Sequence, residues 1–249
     1  KQTKLVAVLS TAALLAIGAS MTSFAATGWA EEDGTWVYYN RDGERATDSW
    51  KKSGNNWYYL DSDGEMAIDQ LIEDGDNYYY VDINGVMASN QWVAIENEDA
   101  GEDDEPEHYW YYFQANGKAL TNGDNTNIAL KTINGKKYEF DVNGAMTAEW
   151  SLDVEKASKD GVRSGNSSSS TNSGAAQYAK EWRYFNSVED GARVSRGWFK
   201  VVAAEYLNYD KYNDDEDAWY YADGSGNLYA GEFKTIKGKK YAFRNDGRM

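Results

Sequence analysis

The residues with chemistry to offer in this chain are aromatic. It holds 10 Trp, 20 Tyr and 7 Phe against a single His, a single Pro and no Cys. Indole and phenol faces are electron-rich, so they attract cations, quaternary ammonium groups included. They also stack on sugar rings. Groups that break bonds are scarce. Without Cys there is no thiol nucleophile, disulfide or thiolate metal site. One His cannot supply a multi-His metal centre, and it leaves a Ser-His relay hard to build. With 41 acidic against 25 basic side chains and a net charge of −16, the chain is unsuited to nucleic-acid phosphates. Two well-spaced carboxylates would suffice for glycoside hydrolysis. However, the longest segment outside the aromatic pattern, Ser151 to Ala179, is rich in Ser and Gly, too short for a catalytic domain. No catalytic residue, cofactor or metal ligand is expected. The acidic runs lack the Gly and terminal Glu of an EF-hand loop.

The aromatics are periodic. All ten Trp fall on two positions of an internal repeat. Trp29, Trp50, Trp92, Trp150 and Trp198 take the first; Trp36, Trp57, Trp110, Trp182 and Trp219 take the second. Units without Trp place Leu71, Leu130 or Phe233 first and Tyr78, Tyr138 or Tyr241 second. Met66, Met87, Met146 and Met249 each follow a turn Gly by two residues. Two units share Lys-Thr-Ile-x-Gly-Lys-Lys-Tyr-x-Phe, from Lys131 and from Lys234.

Such residues need a frame, and each unit reads as a β-hairpin. In the clearest one, Trp50 to Met66, the Ser-Gly54-Asn-Asn segment is a tight turn between strands. Trp57 to Leu60 suits a pleated, half-buried surface, with Trp57 and Tyr59 on one face and Tyr58 and Leu60 on the other. Asp61-Ser-Asp-Gly64 turns the chain into the next unit. One hairpin of about 20 residues cannot bury enough surface alone, whereas stacked hairpins can share a core. The expected fold is therefore all-β: a solenoid of eight stacked hairpins with almost no helix, occupying 26–249 as one repeat domain. Insertions near 96–108, 151–179 and 203–217 enter between the first and second anchors, and their acidic or Ser-rich composition is that of loops.

The first 25 residues stand apart. Lys1 and Lys4 precede an apolar stretch from Leu5, and Ser23-Phe24-Ala25 is a small-x-small cleavage site. This is the pattern of a secretory signal peptide, helical or disordered and removed on export, leaving no membrane segment.

The Trp50 to Met66 unit, with Gly28-Trp29, Trp36, Tyr38-Tyr39 and Gly43, resembles the cell wall-binding, or choline-binding, repeat of Gram-positive surface proteins. The Lys-Thr-Ile units look closer to the related repeats of glucan-binding proteins and clostridial toxin tails. In the choline-binding branch a ligand sits between consecutive hairpins, boxed by two Trp of one unit, a Tyr of the next and a nearby Met. Carried onto this chain, the resemblance implies a cage of Trp29, Trp36, Tyr59 and Met66, and a second of Trp50, Trp57, Tyr80 and Met87. Tyr58 and Tyr79 are the neighbouring alternatives to the two tyrosines. Trp92/Trp110, Trp150/Trp182 and Trp198/Trp219 are second-rank pairs, separated by the insertions. The function implied is noncovalent attachment of an exported protein to the cell envelope. The partner would be a cell-wall polymer, choline-bearing teichoic acid or a glycan, and the location the cell wall or surface. A glucan- or glycan-binding module, adhesin-like or toxin-tail-like, is the alternative.

Overall fold

Two-residue turns set the architecture. In the computed structural model, which describes residues 27–102, 105–123, 130–152 and 173–249, five units fold back on themselves about such a turn, and in the other three an insertion joins the paired strands. The signal-peptide region and the middle of the Ser-rich insertion lie outside the described residues. Eight hairpins result. They are β1 (Gly28–Glu32) with β2 (Thr35–Tyr39), β3 (Ser49–Ser53) with β4 (Asn56–Leu60), β5 (Gln70–Asp74) with β6 (Asn77–Val81), and β7 (Gln91–Glu96) with β8 (His108–Phe113). Then come β9 (Lys131–Ile133) with β10 (Lys136–Tyr138), β11 (Glu149–Leu152) with β12 (Trp182–Ser187) and β13 (Asp190–Arg193), β14 (Gly197–Val201) with β15 (Ala218–Ala222), and β16 (Glu232–Ile236) with β17 (Lys239–Phe243). The hairpin solenoid is the fold.

Gly54, at φ 60° in the first turn position, allows the type II′ turn whose twist matches the strands. Asp61 shapes the turn that follows: its Oδ1 accepts from the N–H groups of Asp63 at 2.9 Å and Glu65 at 2.9 Å. Asp82, Asp141 and Asp223 do the same in their units. An Asx carboxylate that satisfies backbone donors locally makes each connection self-contained.

Adjacent units are stitched by one recurring bond. The N–H of Met66 donates to the carbonyl of Trp36 at 2.8 Å, Met87 to Trp57 at 2.9 Å, Met146 to Trp110 at 2.8 Å and Met249 to Trp219 at 2.8 Å. The residue two after each turn Gly then lies over the turn Gly of the next unit. A Cβ on Gly85 would stand 2.9 Å from the Sδ of Met66, and one on Gly117 2.4 Å from that of Met87. Only glycine admits this approach.

The chain forms two compact units. The first runs to Glu98 and takes in Tyr111–Leu120; the second is Asp99–Trp110 with Thr121–Met249. In the first, Ala67, Ile72 and Val81 form a buried cluster against Trp50, Tyr59 and Tyr79. In the second, Trp182, Phe199, Leu207, Tyr220 and Leu228 anchor a larger core.

Two corrections to the sequence reading follow. The insertions are not wholly loop. Helix α1 (Ser173–Lys180) forms at the end of the Ser-rich insertion, where Ala175, Tyr178 and Ala179 are buried at the i, i+3, i+4 spacing of one helical face. Helix α2 (Tyr209–Asn213) is capped by Asn208, whose side chain accepts from the N–H of Lys211. The second correction concerns register. Trp57 pairs with Lys52, two residues after the first anchor. The same position in the two Lys-Thr-Ile units is held by Lys137, paired with Thr132, and Lys240, paired with Thr235. Tyr138 and Tyr241 therefore correspond to Tyr58, because their spacing of eight is one residue beyond the register and one residue reverses the face.

Candidate ligand site

Alternation along β3 and β4 puts Trp50, Lys52, Trp57 and Tyr59 on one face, while Tyr58 and Leu60 are buried on the other. The Trp50 ring stands 5.0 Å from Tyr59 of its own hairpin and 5.0 Å from Tyr79 of the next. Its Nε1 donates to Asp74 Oδ2 at 3.0 Å, which holds the indole in place. Trp57 remains 40% exposed. The bond from Met87 to the Trp57 carbonyl brings the thioether alongside. These groups line a cleft of ≈ 550 Å³: Trp50, Trp57, Tyr79 and Met87, with Ala115 and the polar Asn55, Asn56, Ser89 and Asn116 completing its lining.

The site's electrostatics favour a cation. Burial and the Asp74 carboxylate both raise the pKa of Tyr79, so its phenol stays neutral. The Lys52 ammonium already lies 5.9 Å from the centre of the Trp57 ring. The aromatic faces offer about 0.5–2 kcal/mol each to a cation that carries no N–H donors.

Of the second expected cage, Trp50, Trp57 and Met87 meet in this cleft, but Tyr80 does not. Tyr80 pairs with Leu71, its hydroxyl donates to Asp69 Oδ1 at 2.5 Å, and its ring lies 6.1 Å from Phe113. Tyr79 stands in the wall instead. The first expected cage changes the same way. Trp29 packs edge-on at 5.4 Å against Tyr58, while Tyr59 is taken up by Trp50; Met66 bonds to Trp36. The middle tyrosine faces the preceding hairpin because it shares the face of the buried strand residue that follows it by two.

One group ranked lower by sequence has the same geometry. Trp198 lies 4.8 Å from Tyr241 and 6.3 Å from Trp219, Trp219 is 43% exposed, and Met249 bonds to the Trp219 carbonyl. The insertion between Trp198 and Trp219 hides this match. The signal that reveals it is the Lys-Lys-Tyr241 run, once Tyr241 is aligned with Tyr58.

Two other second-position tryptophans are covered. Trp110 is 6% exposed, with its Nε1 on Glu189 Oε2 at 3.0 Å, and His108 Nε2 is 2.7 Å from the other oxygen of that carboxylate. Trp182 is 5% exposed, 6.0 Å from Trp150 and 6.3 Å from Tyr178 of α1. Among the described residues no group of His, Asp and Glu is arranged to hold a metal ion.

Residues 46–92 match the choline-binding repeat family. Among solved structures, choline-binding protein F of Streptococcus pneumoniae is 26% identical with a TM-score of 0.51, covering 90% of this chain and 57% of that one. CbpJ of the same organism is 24% identical, TM-score 0.53, with coverage of 90% and 57%. The modular autolysin LytC of Streptococcus pneumoniae is 20% identical, TM-score 0.50, with coverage of 90% and 38%. The chain thus spans 38% to 57% of the length of these structures. No curated protein matches the sequence.

Proposed function

We propose that this chain, which carries the choline-binding repeat, is a binding module that attaches an exported protein noncovalently to the bacterial cell surface by holding choline-type groups of a wall polymer. The observation that carries this reading is the cleft of Trp50, Trp57, Tyr79 and Met87, with a half-exposed Trp57 and Asp74 behind Trp50. Trp29, Trp36, Tyr58 and Met66, and Trp198, Trp219, Tyr241 and Met249, are proposed as further sites on the same plan. Choline-binding protein F has also been crystallised in the presence of a peptidoglycan analogue, a tetrasaccharide-pentapeptide, consistent with a wall environment for proteins of this repeat. One cage is a weak site after the cost of association. Several cages facing a polymer that repeats its ligand gain through effective concentration. In this reading the chain binds and does not catalyse.

The second reading is glycan binding. Asn55, Asn56 and Asn116 beside the Trp57 face would suit sugar hydroxyls. Retention on choline resin and release by free choline are expected. Passage through choline resin with retention on dextran would replace the first reading with the second.

A further inference from the structure

The three proposed cages share a plan but differ in charge at one position. In each hairpin a single residue pairs directly across from the second tryptophan: Glu31 for Trp36, Lys52 for Trp57 and Lys200 for Trp219. The register is otherwise the same, because Trp29, Trp50 and Trp198 pair with Tyr38, Tyr59 and Tyr221. Directly opposed residues have Cβ atoms about 4.5–5.5 Å apart on one face of the sheet. A charge at this position therefore lies close to whatever rests on the indole.

The three charges are held differently. The Lys52 ammonium lies 5.9 Å from the centre of the Trp57 ring, and among the described residues no carboxylate pairs with it. Lys52 is exposed and does not line the cleft, so it acts on a ligand there by its field and by the reach of its stem, not by filling space. A cation fixed beside the ring repels a second bare cation and attracts an anion tethered to one. The same cleft has Asp74 at its other tryptophan, bonded to Trp50 Nε1. It is therefore bordered by one charge of each sign. The hairpins that follow Trp29 and Trp198 carry Ser53 and Ile236 at the place of Asp74, each paired at the end of its strand as Asp74 is. Glu31 brings a carboxylate to the side of Trp36. Lys200 is 3.8 Å from Asp217 Oδ2, which offsets its charge.

We infer that the residue across from the second tryptophan selects the charge each cage accepts. Lys52, with Asp74, fits the second cleft to a zwitterion, an ammonium tethered to an anion. Glu31 fits the first cage to a bare quaternary ammonium, and Lys200 with Asp217 leaves the third between them. This rests on the choline-cage reading of these tryptophans, and it makes the sites unequal where their aromatic plan is alike.

The test follows the indole Nε1–H signals of the full chain by NMR, one per tryptophan, assigned with single Trp→Phe variants. Tetramethylammonium is the bare cation and glycerophosphocholine the zwitterion. At low salt the ratio of zwitterion to bare-cation affinity should be at least about threefold higher at the Trp57 signal than at the Trp36 signal. Lys52→Glu should bring the Trp57 ratio down to that of Trp36, and Glu31→Lys should raise the Trp36 ratio. Both differences should fade at high salt, whereas a purely structural role for Lys52 would move both probes alike at any salt. If the probes bind but the ratios ignore both substitutions, or both probes weaken together, the charge selection is overturned and the cages stand. If neither probe shifts the Trp36, Trp57 or Trp219 signals, the cation-cage reading itself falls, and the selection with it.

Discussion

A half-exposed indole and a half-buried one in the same cleft do different work. Trp57 spends its face on solvent or ligand, whereas Trp50 packs against Tyr59 and Tyr79 and is tethered by Asp74. Trp57→Ala should weaken choline binding by roughly tenfold with little change in melting temperature. Trp50→Ala should lose both binding and about 2–4 kcal/mol of stability, read from denaturant unfolding. The turn glycines divide in a similar way. Gly54 has open space where a Cβ would go, so Gly54→Ala carries only the conformational cost of its positive φ, about 1 kcal/mol. Gly85→Ala adds a collision with Met66 and should cost about 2–3 kcal/mol, the larger loss on the same unfolding curves.

At the scale of elements, the insertions are more than tolerated loops. In the third, Asn208 caps α2 and its Nδ2 donates to Asp246 Oδ2 at 2.6 Å, and the same oxygen accepts from Arg248 Nε at 2.6 Å. Asp246 is fully buried in the last turn of the chain. Asp246→Ala would leave Arg248 and Asn208 without their acceptor and should cost about 3 kcal/mol in chemical denaturation. The Ser-rich insertion ends in α1, which covers Trp182; the acidic one leads into His108 and Trp110, both held by Glu189. Trp182 is thus covered by a group from its insertion and Trp110 by Glu189 of the sixth hairpin, whereas Trp219 stays open although its repeat also carries an insertion. Their composition did not announce this. Ala175, Tyr178 and Ala179 form a helical face only because Trp182 and the strands around it supply the surface they bury against.

For the whole molecule, charge is the variable most open to solution conditions. Glu232 lies between Lys180 at 3.4 Å and Lys234 at 3.0 Å, and bonds from both hold its pKa below the ordinary carboxylate value despite burial. A lowered folded-state pKa contributes stability above the unfolded value, near 4.5, and that contribution is lost as pH falls through the folded one. Glu232→Gln should therefore melt slightly lower at neutral pH, by about 0.5 kcal/mol given its partial exposure, and match the unaltered chain in strong acid. Differential scanning calorimetry across that range reads it directly.

The repeat, the eight hairpins and the tryptophan positions were legible in the sequence by itself, because two-residue turns and Asx carboxylates are local devices that impose one period wherever they recur. The identity of the wall tyrosine was not. Tyr79 and Tyr80 are adjacent and chemically alike, and only the packing of one hairpin on the next decides which ring meets Trp50. Nor could spacing tell an open Trp57 or Trp219 from a covered Trp110 or Trp182. Exposure there depends on Glu189 and Tyr178, residues brought over each ring by tertiary contact, so the burial that separates a binding face from a core exists only in the folded chain.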